Sequence, residues 1–244
     1  MSATALADGE VHLHLYPLAT LERHVTHDAA LAWLTPAEQQ VLATLRTPAR
    51  QREWLYGRAL LRRWLAHYAQ VAATSIEICI GTHGKPFARI QAAAPVTLPV
   101  FNLAHNDTLL VLAFARQGAL GVDVESHVCD WQHEFAAIAA ARFSPAEQAH
   151  LQQLETTAES TRAAAFFRIW TLKEAALKAA GLGLSPALRQ IDVAQQMPEY
   201  ALDLNDADAT LALTGWHWSL PKWQAELALM QHGAGHRVRW FEHE

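Results

Sequence analysis

The sequence has few cysteines, no long apolar run and no excess of basic residues, and each shortage excludes a class of protein. Cys79 and Cys129 form no CxxC pair and no disulfide framework, so we expect reduced thiols and a cytoplasmic location. No stretch reaches the roughly 18 uninterrupted apolar residues of a membrane span. Residues 1–10 lack the basic start and apolar core of a signal peptide. We therefore expect no membrane segment.

The charge balance argues against nucleic acid as a ligand. The chain of 244 residues carries a net charge of −5, whereas general nucleic-acid-binding proteins are usually basic.

A zinc site is disfavoured too, because the sequence has no HExxH motif and no cysteines at zinc-binding spacing. His12 and His14 share one face of a strand predicted at residues 11–16, but no third ligand is nearby. We interpret that face as solvated and assign no zinc site.

One pattern of local signals occurs twice along the chain. Thr35-Pro36-Ala37-Glu38 and Ser144-Pro145-Ala146-Glu147 are both capping-box helix starts with proline at the first helical position. Each is followed by a long helix, which we place at 48–68 and from about 163 to Gly181, and then by short strands. In the second half, we predict strands at residues 191–193, 211–213, 215–219, 225–229 and 237–240. The hydrophobic content of 51% suffices for one large domain or two of about 120 residues. The repeated order is typical of a duplicated α+β protein with antiparallel strands.

Arginine is concentrated in the first long helix. Six arginines lie within residues 46–63, opposed only by Glu53. They form either an ordinary solvated helix face or a local site for a small polyphosphate, because guanidinium groups match phosphate oxygens. Lys85, in a Gly-Lys-Pro turn after a predicted strand, allows the same two interpretations: a plain hairpin loop or an anion contact.

Two carboxylates occupy one face of a strand predicted at residues 119–125. The period of two places Asp123 and Glu125 together and Val122 and Val124 on the other face. Neighbouring carboxylates repel each other unless a cation lies between them, and Mg²⁺ is a natural partner for carboxylates and substrate phosphates. The alternative is an exposed edge face.

The second long helix carries charges on and beside its apolar stripe. Helical spacing places Lys173 on the stripe of Phe166 and Trp170, with Glu174 and Lys178 four residues apart on its flank. Taken alone, these charges suit a surface ion pair and a lysine at the edge of the core. We expect the stripe to face the other half of the protein, with Lys173 reaching the phosphates or a buried carboxylate.

Four segments together resemble the 4'-phosphopantetheinyl transferases in their long single-chain form. They are GKPF at 84–87, FNLAH at 101–105, GVDVE at 121–125 and WTLKEAALKAAGLGL at 170–184. The resemblance implies an α+β fold of two similar halves, 1–120 and 121–244, related by a pseudo-two-fold axis. Each half is expected to pack a helix on a small antiparallel sheet, with the active site at their interface. The family's long form is usually a monomer.

The resemblance also implies an activity. Phosphopantetheine would pass from coenzyme A to a serine of an apo carrier protein in a Mg²⁺-dependent reaction that releases adenosine 3',5'-bisphosphate. The implied metal ligands are Asp123, Glu125 and Glu174. The implied catalytic residues are Asp123, Glu174 as candidate base, and Lys178 at the transferring phosphate. The implied coenzyme A contacts are Arg50, Arg52, Lys85, Asn102, His105 and Lys178.

Ala104 departs from the family pattern, which usually has serine at this position, so a hydroxyl contact is lost. This residue supports one alternative, a weak or inactive relative that only binds coenzyme A or carrier protein. Another Mg²⁺-dependent phosphoryl-transfer enzyme, such as a nuclease, is the second alternative, and the acidic balance of the chain argues against it.

Overall fold

The protein is described by a computed structural model that covers residues 5–81, 83–90, 96–127, 134–183, 186–194, 199–206, 209–233 and 236–244. The expectation of a reduced thiol at Cys129 lies outside these residues, while Cys79 is a free, half-buried cysteine. Within the described part of the chain, no helix is long and apolar enough to cross a membrane.

The first half of the chain places one long helix on a sheet. Its elements are β1 (Glu10–Pro17), α1 (His27–Ala32), α2 (Pro36–Thr44), α3 (Pro48–Ala69), β2 (Ile76–Ile80), β3 (Pro86–Ile90), β4 (Val100–His105) and β5 (Leu109–Ala115). β2 and β3 form a separate antiparallel hairpin, whereas β1, β5 and β4 are neighbours in one sheet. Apolar side chains of α3 and β5, including Leu60 and Phe114, form the core between helix and sheet.

The second half repeats this arrangement. It contains β6 (Leu120–Ser126), α4 (Glu134–Arg142), α5 (Pro145–Gln153), α6 (Glu159–Ala180), β7 (Tyr200–Asp206), β8 (Ala209–Leu220), β9 (Ala225–His232) and β10 (Arg237–Glu242). The strand order of its antiparallel sheet is β6-β9-β8-β7. Phe166 and Leu172 of α6 pack with Ala228 and Met230 of β9. The predicted α+β fold with a helix on a small sheet in each half is confirmed.

A third core lies between the two sheets. Val11, Leu13 and Leu15 of β1 belong to it together with Val122 and Val124 of β6. The opposite faces of these two strands therefore point toward the long helices, because side chains alternate along a strand. Both predicted capping boxes are present, at Thr35–Glu38 and Ser144–Glu147, and each stabilises the start of a helix by satisfying free backbone N–H groups.

Several expectations about individual strands and helices are wrong. β10 pairs with β1 in parallel and so joins the sheet of the first half, where only antiparallel pairing was expected. Residues 191–193 form no strand, β7 was not anticipated, and α6 begins at Glu159, before the predicted start. Residues 191–193 alternate apolar and polar side chains as a strand would, but Ile191 and Val193 pack into the core of the second half without joining a sheet.

The interpretation of His12 and His14 as a solvated face is also wrong. Both side chains are fully buried between β1 and α3. The hydroxyl of Tyr68 lies 2.8 Å from His12 Nδ1 and 2.8 Å from His14 Nε2, and the His14 ring is stacked on Phe241 of β10. The alternation of histidines with apolar residues in β1 suggested a face in contact with solvent. The residues of α3 and β10 that cover this face are distant in sequence, so the local pattern could not reveal them.

Candidate active site

The four motif segments meet at one cavity of about 550 Å³. Its walls are formed by the loop before β3, by β4 and β6, and by α6. Its walls include most of the predicted site residues: Lys85, Asn102, Ala104, His105, Asp123, Glu125, Trp170, Glu174 and Lys178. The cavity thus lies where the two halves meet, as expected from the sequence.

The strand period explains why two carboxylates point into this cavity. Val122 and Val124 are buried between the sheets, so Asp123 and Glu125 face α6. Gly121 allows the helix to come close: a Cβ atom there would lie 1.9 Å from Ala175 O. The backbones of β6 and α6 are therefore in direct contact, next to the acidic pair.

Lys178 and Asp123 form the central contact of the site. Lys178 Nζ donates to Asp123 Oδ1 over 2.6 Å, and Asp123 is 5% exposed. Asp123 Oδ2 and Glu174 Oε1 are buried and have no hydrogen-bond partner in the structure described. Buried polar atoms are usually satisfied, and because both side chains line the cavity, these two oxygens are free to accept a ligand bound there.

Burial and charge repulsion favour protonation of the other two carboxylates. The pKa of Glu125 rises to about 7, mainly because the side chain is desolvated and secondly because Asp123 is charged. The pKa of Glu174 also rises to about 7 for the same two reasons, and Lys178 opposes both shifts. A cation among these carboxylates would restore their ionised forms.

The chemistry of these donors fits Mg²⁺. Carboxylate oxygens are the ligands that this hard cation prefers, and two of them are orphaned. In the observed arrangement, no group of three His, Cys, Asp or Glu side chains within the described ranges is positioned as a metal centre. Lys178 is bonded to Asp123, so a cation bound by Asp123, Glu125 and Glu174 would share Asp123 with this ammonium group or replace it there.

Lys85 and Asn102 tie the two halves together at the cavity wall. Lys85 Nζ donates to Leu120 O over 3.1 Å and to Ala179 O over 2.9 Å, and burial lowers its pKa to about 8. Asn102 Oδ1 accepts a hydrogen bond of 2.9 Å from Val122 N. Both side chains line the cavity, but their observed partners are backbone groups. Ala104 is buried between the sheets and supplies an apolar wall.

His105 connects this cavity with a second one of about 500 Å³, next to α3. Arg50 Nη1 lies 3.3 Å from His105 Nε2. Arg46 and Arg58 also line the second cavity, and Trp54 stacks beneath Arg58 with 5.3 Å between the guanidinium carbon and the ring centre. The spacing of four residues from Arg50 to Trp54 to Arg58 could have predicted this shared helix face.

Arg52 lies apart from the other predicted ligands. Its guanidinium forms an ion pair with Glu22 and donates to Leu18 O over 2.5 Å. It lines neither of the two cavities. The structure therefore brings Arg50, but not Arg52, to His105.

Lys173 does not point toward the other half of the protein, so this part of the expectation is wrong. It is fully buried inside the second half, where Nζ donates over 2.5 Å to Glu147 Oε2 and over 2.5 Å to Ile191 O. The expected buried carboxylate exists, but it belongs to the capping box of α5. The apolar character around Lys173 concealed an internal ion pair that sequence spacing could not locate.

Comparison with known proteins identifies the family. Residues 119–229 match the 4'-phosphopantetheinyl transferase superfamily, and residues 23–117 match the family described as 4'-phosphopantetheinyl transferase, N-terminal. The chain is 30% identical over 233 residues to the 4'-phosphopantetheinyl transferase HetI of Nostoc sp., which covers 90% of this chain and 94% of that protein.

Two further relatives are similar over shorter spans. A putative 4'-phosphopantetheinyl transferase of Synechocystis sp. is 28% identical over 173 residues, or 71% of this chain and 65% of that protein. The 4'-phosphopantetheinyl transferase AcpT of Salmonella typhimurium is 35% identical over 132 residues, or 54% of this chain and 60% of that protein. With both halves matched and HetI aligned over nearly its whole length, the chain belongs to the 4'-phosphopantetheinyl transferase superfamily.

Proposed function

We propose that this chain transfers 4'-phosphopantetheine from coenzyme A to a serine of an apo carrier protein, with Mg²⁺ as the required ion. One observation carries the proposal: Asp123, Glu125, Glu174 and Lys178 converge on a cavity that also contains His105. Carboxylates for a cation and basic groups for phosphates are what transfer of a phosphoryl group requires.

Asp123, Glu125 and Glu174 are the residues that would hold the ion. When bound, Mg²⁺ supplies positive charge that neutralises the pyrophosphate oxygens. The orphaned oxygens of Asp123 and Glu174 support this assignment, as do the raised pKa values of Glu125 and Glu174.

Lys178 supplies a second positive charge at the reacting phosphate. The Lys178 side chain is about one-third exposed and lines the cavity, while its ammonium group is bonded to Asp123 at 2.6 Å. In the transfer step the serine Oγ bonds to the phosphorus that carries pantetheine. The pyrophosphate P–O bond breaks, and adenosine 3',5'-bisphosphate leaves. A cation close to that phosphorus stabilises the charge that develops.

Glu174 is the candidate base for the serine proton. Its carboxylate lines the cavity, and Oε1 has no hydrogen-bond partner among the residues described. With the ion bound, Glu174 would be ionised, and a carboxylate within reach of the serine hydroxyl can accept its proton. Proton transfer from serine Oγ to Glu174 would accompany formation of the new P–O bond.

The phosphates of coenzyme A are assigned to the basic groups His105, Arg50 and Lys85. His105 lines both cavities, with Arg50 Nη1 3.3 Å from its Nε2, and Lys85 lines the first cavity. Arg46 and Arg58 line the neighbouring cavity and extend the cationic surface. Arg52, bound to Glu22, is left out of this contact set.

We further propose that the chain acts as a cytoplasmic monomer composed of halves 1–120 and 121–244. All the assigned site residues come from one chain, which supports a site complete without a second copy. The free thiol of Cys79 agrees with a reducing compartment.

Mass spectrometry of apo carrier proteins incubated with coenzyme A, Mg²⁺ and this protein tests the proposal. We expect one phosphopantetheine to be added to the serine of at least one carrier, together with release of adenosine 3',5'-bisphosphate. Lys178→Ala should lower kcat about 100-fold or more, because the charge acts in the transition state. A panel of carriers that all stay unmodified would refute the proposed function.

A further inference from the structure

Each half of the protein contains a buried ion pair at the same place in its architecture. In the first half, Arg62 of α3 pairs with Glu38, the capping-box residue of α2. In the second half, Lys173 of α6 pairs with Glu147, the capping-box residue of α5, over 2.5 Å. Arg62 and Lys173 are both the fifteenth residue of a 22-residue helix.

The two pairs are also alike in a second hydrogen bond, which each basic side chain donates. Arg62 Nε donates to Ile76 O over 3.2 Å, and Lys173 Nζ donates to Ile191 O over 2.5 Å. In both halves, a long helix is thus fastened to the helix before it and to the segment after it. The two pairs are structural counterparts, which makes the first a natural control for the second.

The pair in the second half is more completely bonded. Glu147 Oε1 accepts from Val193 N over 2.9 Å, and Oε2 accepts from Ser144 N over 2.7 Å as well as from Lys173. By contrast, Glu38 Oε1 and Arg62 Nη1 have no hydrogen-bond partner in the described structure. The carboxylate of Glu147 therefore joins the start of α5, the middle of α6 and the 191–193 segment.

The position of Lys173 along α6 places its ion pair next to the site residues of this helix. Lys173 directly precedes Glu174, and Lys178 lies little more than one turn further on. The direct contact between Gly121 and the backbone of Ala175 leaves no space for α6 to move closer to β6. Sliding along the strand and rotation about the helix axis are movements that this contact does not prevent, and the bonds of Lys173 to Glu147 and Ile191 oppose both.

We propose that the Lys173–Glu147 pair is a positioning device that fixes the rotation and axial position of α6, and thereby places Glu174 and Lys178 opposite Asp123. The inference rests on the proposed function, because Glu174 and Lys178 matter only if they act on coenzyme A and its ion. Lys173 itself does not line the cavity and is fully buried. Its role is therefore not that of a catalytic residue.

The test compares two double variants. Lys173→Met with Glu147→Gln removes both charges, since removing only one would leave a buried charge unpaired. Arg62→Met with Glu38→Gln makes the matched change in the first half. For both we measure Tm, kcat, the KM for coenzyme A, the Mg²⁺ concentration at half-maximal rate, and Mg²⁺-dependent binding of coenzyme A by titration calorimetry.

The two variants should differ in kcat. We expect the Lys173/Glu147 variant to lose about tenfold or more in kcat, need a higher Mg²⁺ concentration and show weaker Mg²⁺-dependent binding of coenzyme A. The Arg62/Glu38 variant should keep kcat within about twofold, with any change in KM only, because α3 carries Arg50. A comparable fall in Tm for the two would show that lost stability is not the cause.

A milder pair of variants covers the case in which a double variant does not fold. Lys173→Arg keeps the charge but changes the reach, and Arg62→Lys is its counterpart. Lys173→Arg should lower kcat about threefold or more at a temperature where the variant is folded, whereas Arg62→Lys should leave kcat unchanged.

Two results would overturn the positioning role, and they are distinguishable. If the unmodified protein transfers phosphopantetheine and the Lys173/Glu147 variant keeps its kcat and Mg²⁺ requirement, only the positioning role is refuted. If the unmodified protein transfers nothing to any carrier, the proposed function fails and the positioning role fails with it.

Discussion

Alanine at Gly121 is the smallest change that separates β6 from α6. The added Cβ would lie 1.9 Å from Ala175 O and 2.4 Å from Ala179 N, and both atoms belong to the helix backbone. An ordinary Cβ contact begins near 3.4 Å, so α6 must retreat by about 1.5 Å. A retreat of that size lengthens the 2.6 Å contact between Lys178 and Asp123 beyond hydrogen-bond reach.

The expected losses follow from that displacement. Forcing extra volume into a packed contact that cannot adjust locally should cost about 2–4 kcal/mol of the free energy of unfolding. For a chain of this size, this corresponds to a fall in Tm of roughly 4–16 °C. Misplacement of catalytic groups by about 1 Å can cost 100-fold in rate, so Gly121→Ala should lower kcat at least that far at a temperature where the variant is folded.

Differential scanning calorimetry and the carrier-modification assay measure the two effects, with circular dichroism to verify folding. Gly57→Ala is the stability control, because the nearest atom to its added Cβ would be Leu110 Cδ2 at 4.0 Å. That change should leave Tm the same or raise it, since alanine favours a helix over glycine by about 1 kcal/mol. A Gly121→Ala protein with the Tm and kcat of the unmodified chain would refute the close seating of α6 on β6.

Three further predictions concern charges. Glu174→Gln should abolish transfer. At pH 8 it should also raise the free energy of unfolding by about 1–3 kcal/mol, and Tm with it, because it removes a desolvated charge beside Asp123; a lower Tm would contradict this. Arg50→Ala should raise the KM for coenzyme A about fivefold with kcat kept, whereas Arg52→Ala should mainly lower Tm; steady-state kinetics separate the two. Burial lowers the pKa of His14 to about 2, so its imidazole stays neutral in the folded protein but takes up a proton below about pH 6.5 in the unfolded chain. The free energy of unfolding therefore decreases by about 1.4 kcal/mol for each pH unit below 6.5. His14→Phe should flatten the decline of Tm from pH 7 to pH 5, and equal slopes in both proteins would count against the buried neutral imidazole.

The sequence was informative where local chemistry determines structure. The two capping boxes, α3 and the alternating pattern of β6 could be predicted because each depends on neighbours a few residues away. The convergence of Asp123 with Glu174 and Lys178 could not come from spacing, because β6 and α6 are far apart in sequence. The resemblance to a family supplied that contact, and Gly121 explains how the chain achieves it.

The errors have one physical cause: the partner of a polar residue can be remote in sequence. Lys173 looked like an edge residue until Glu147 and the carbonyl of Ile191 were found around it. Arg50 and Arg52 were given the same role from the sequence, but Arg50 meets His105 whereas Arg52 pairs with Glu22. A local pattern gives the direction of a side chain, whereas its neighbours depend on the tertiary fold.

The two halves show how one architecture supports two chemistries. In the first, His12 and His14 of β1 face α3, where the hydroxyl of Tyr68 lies 2.8 Å from a nitrogen of each ring. In the second, Asp123 of β6 faces α6 and keeps an oxygen without a partner among the described residues, as does Glu174. Buried polar groups without partners are costly, and the first half also has two of them, Glu38 Oε1 and Arg62 Nη1, which line neither cavity. The orphaned oxygens of Asp123 and Glu174 differ from these because both side chains line the cavity, where a bound cation would complete their coordination.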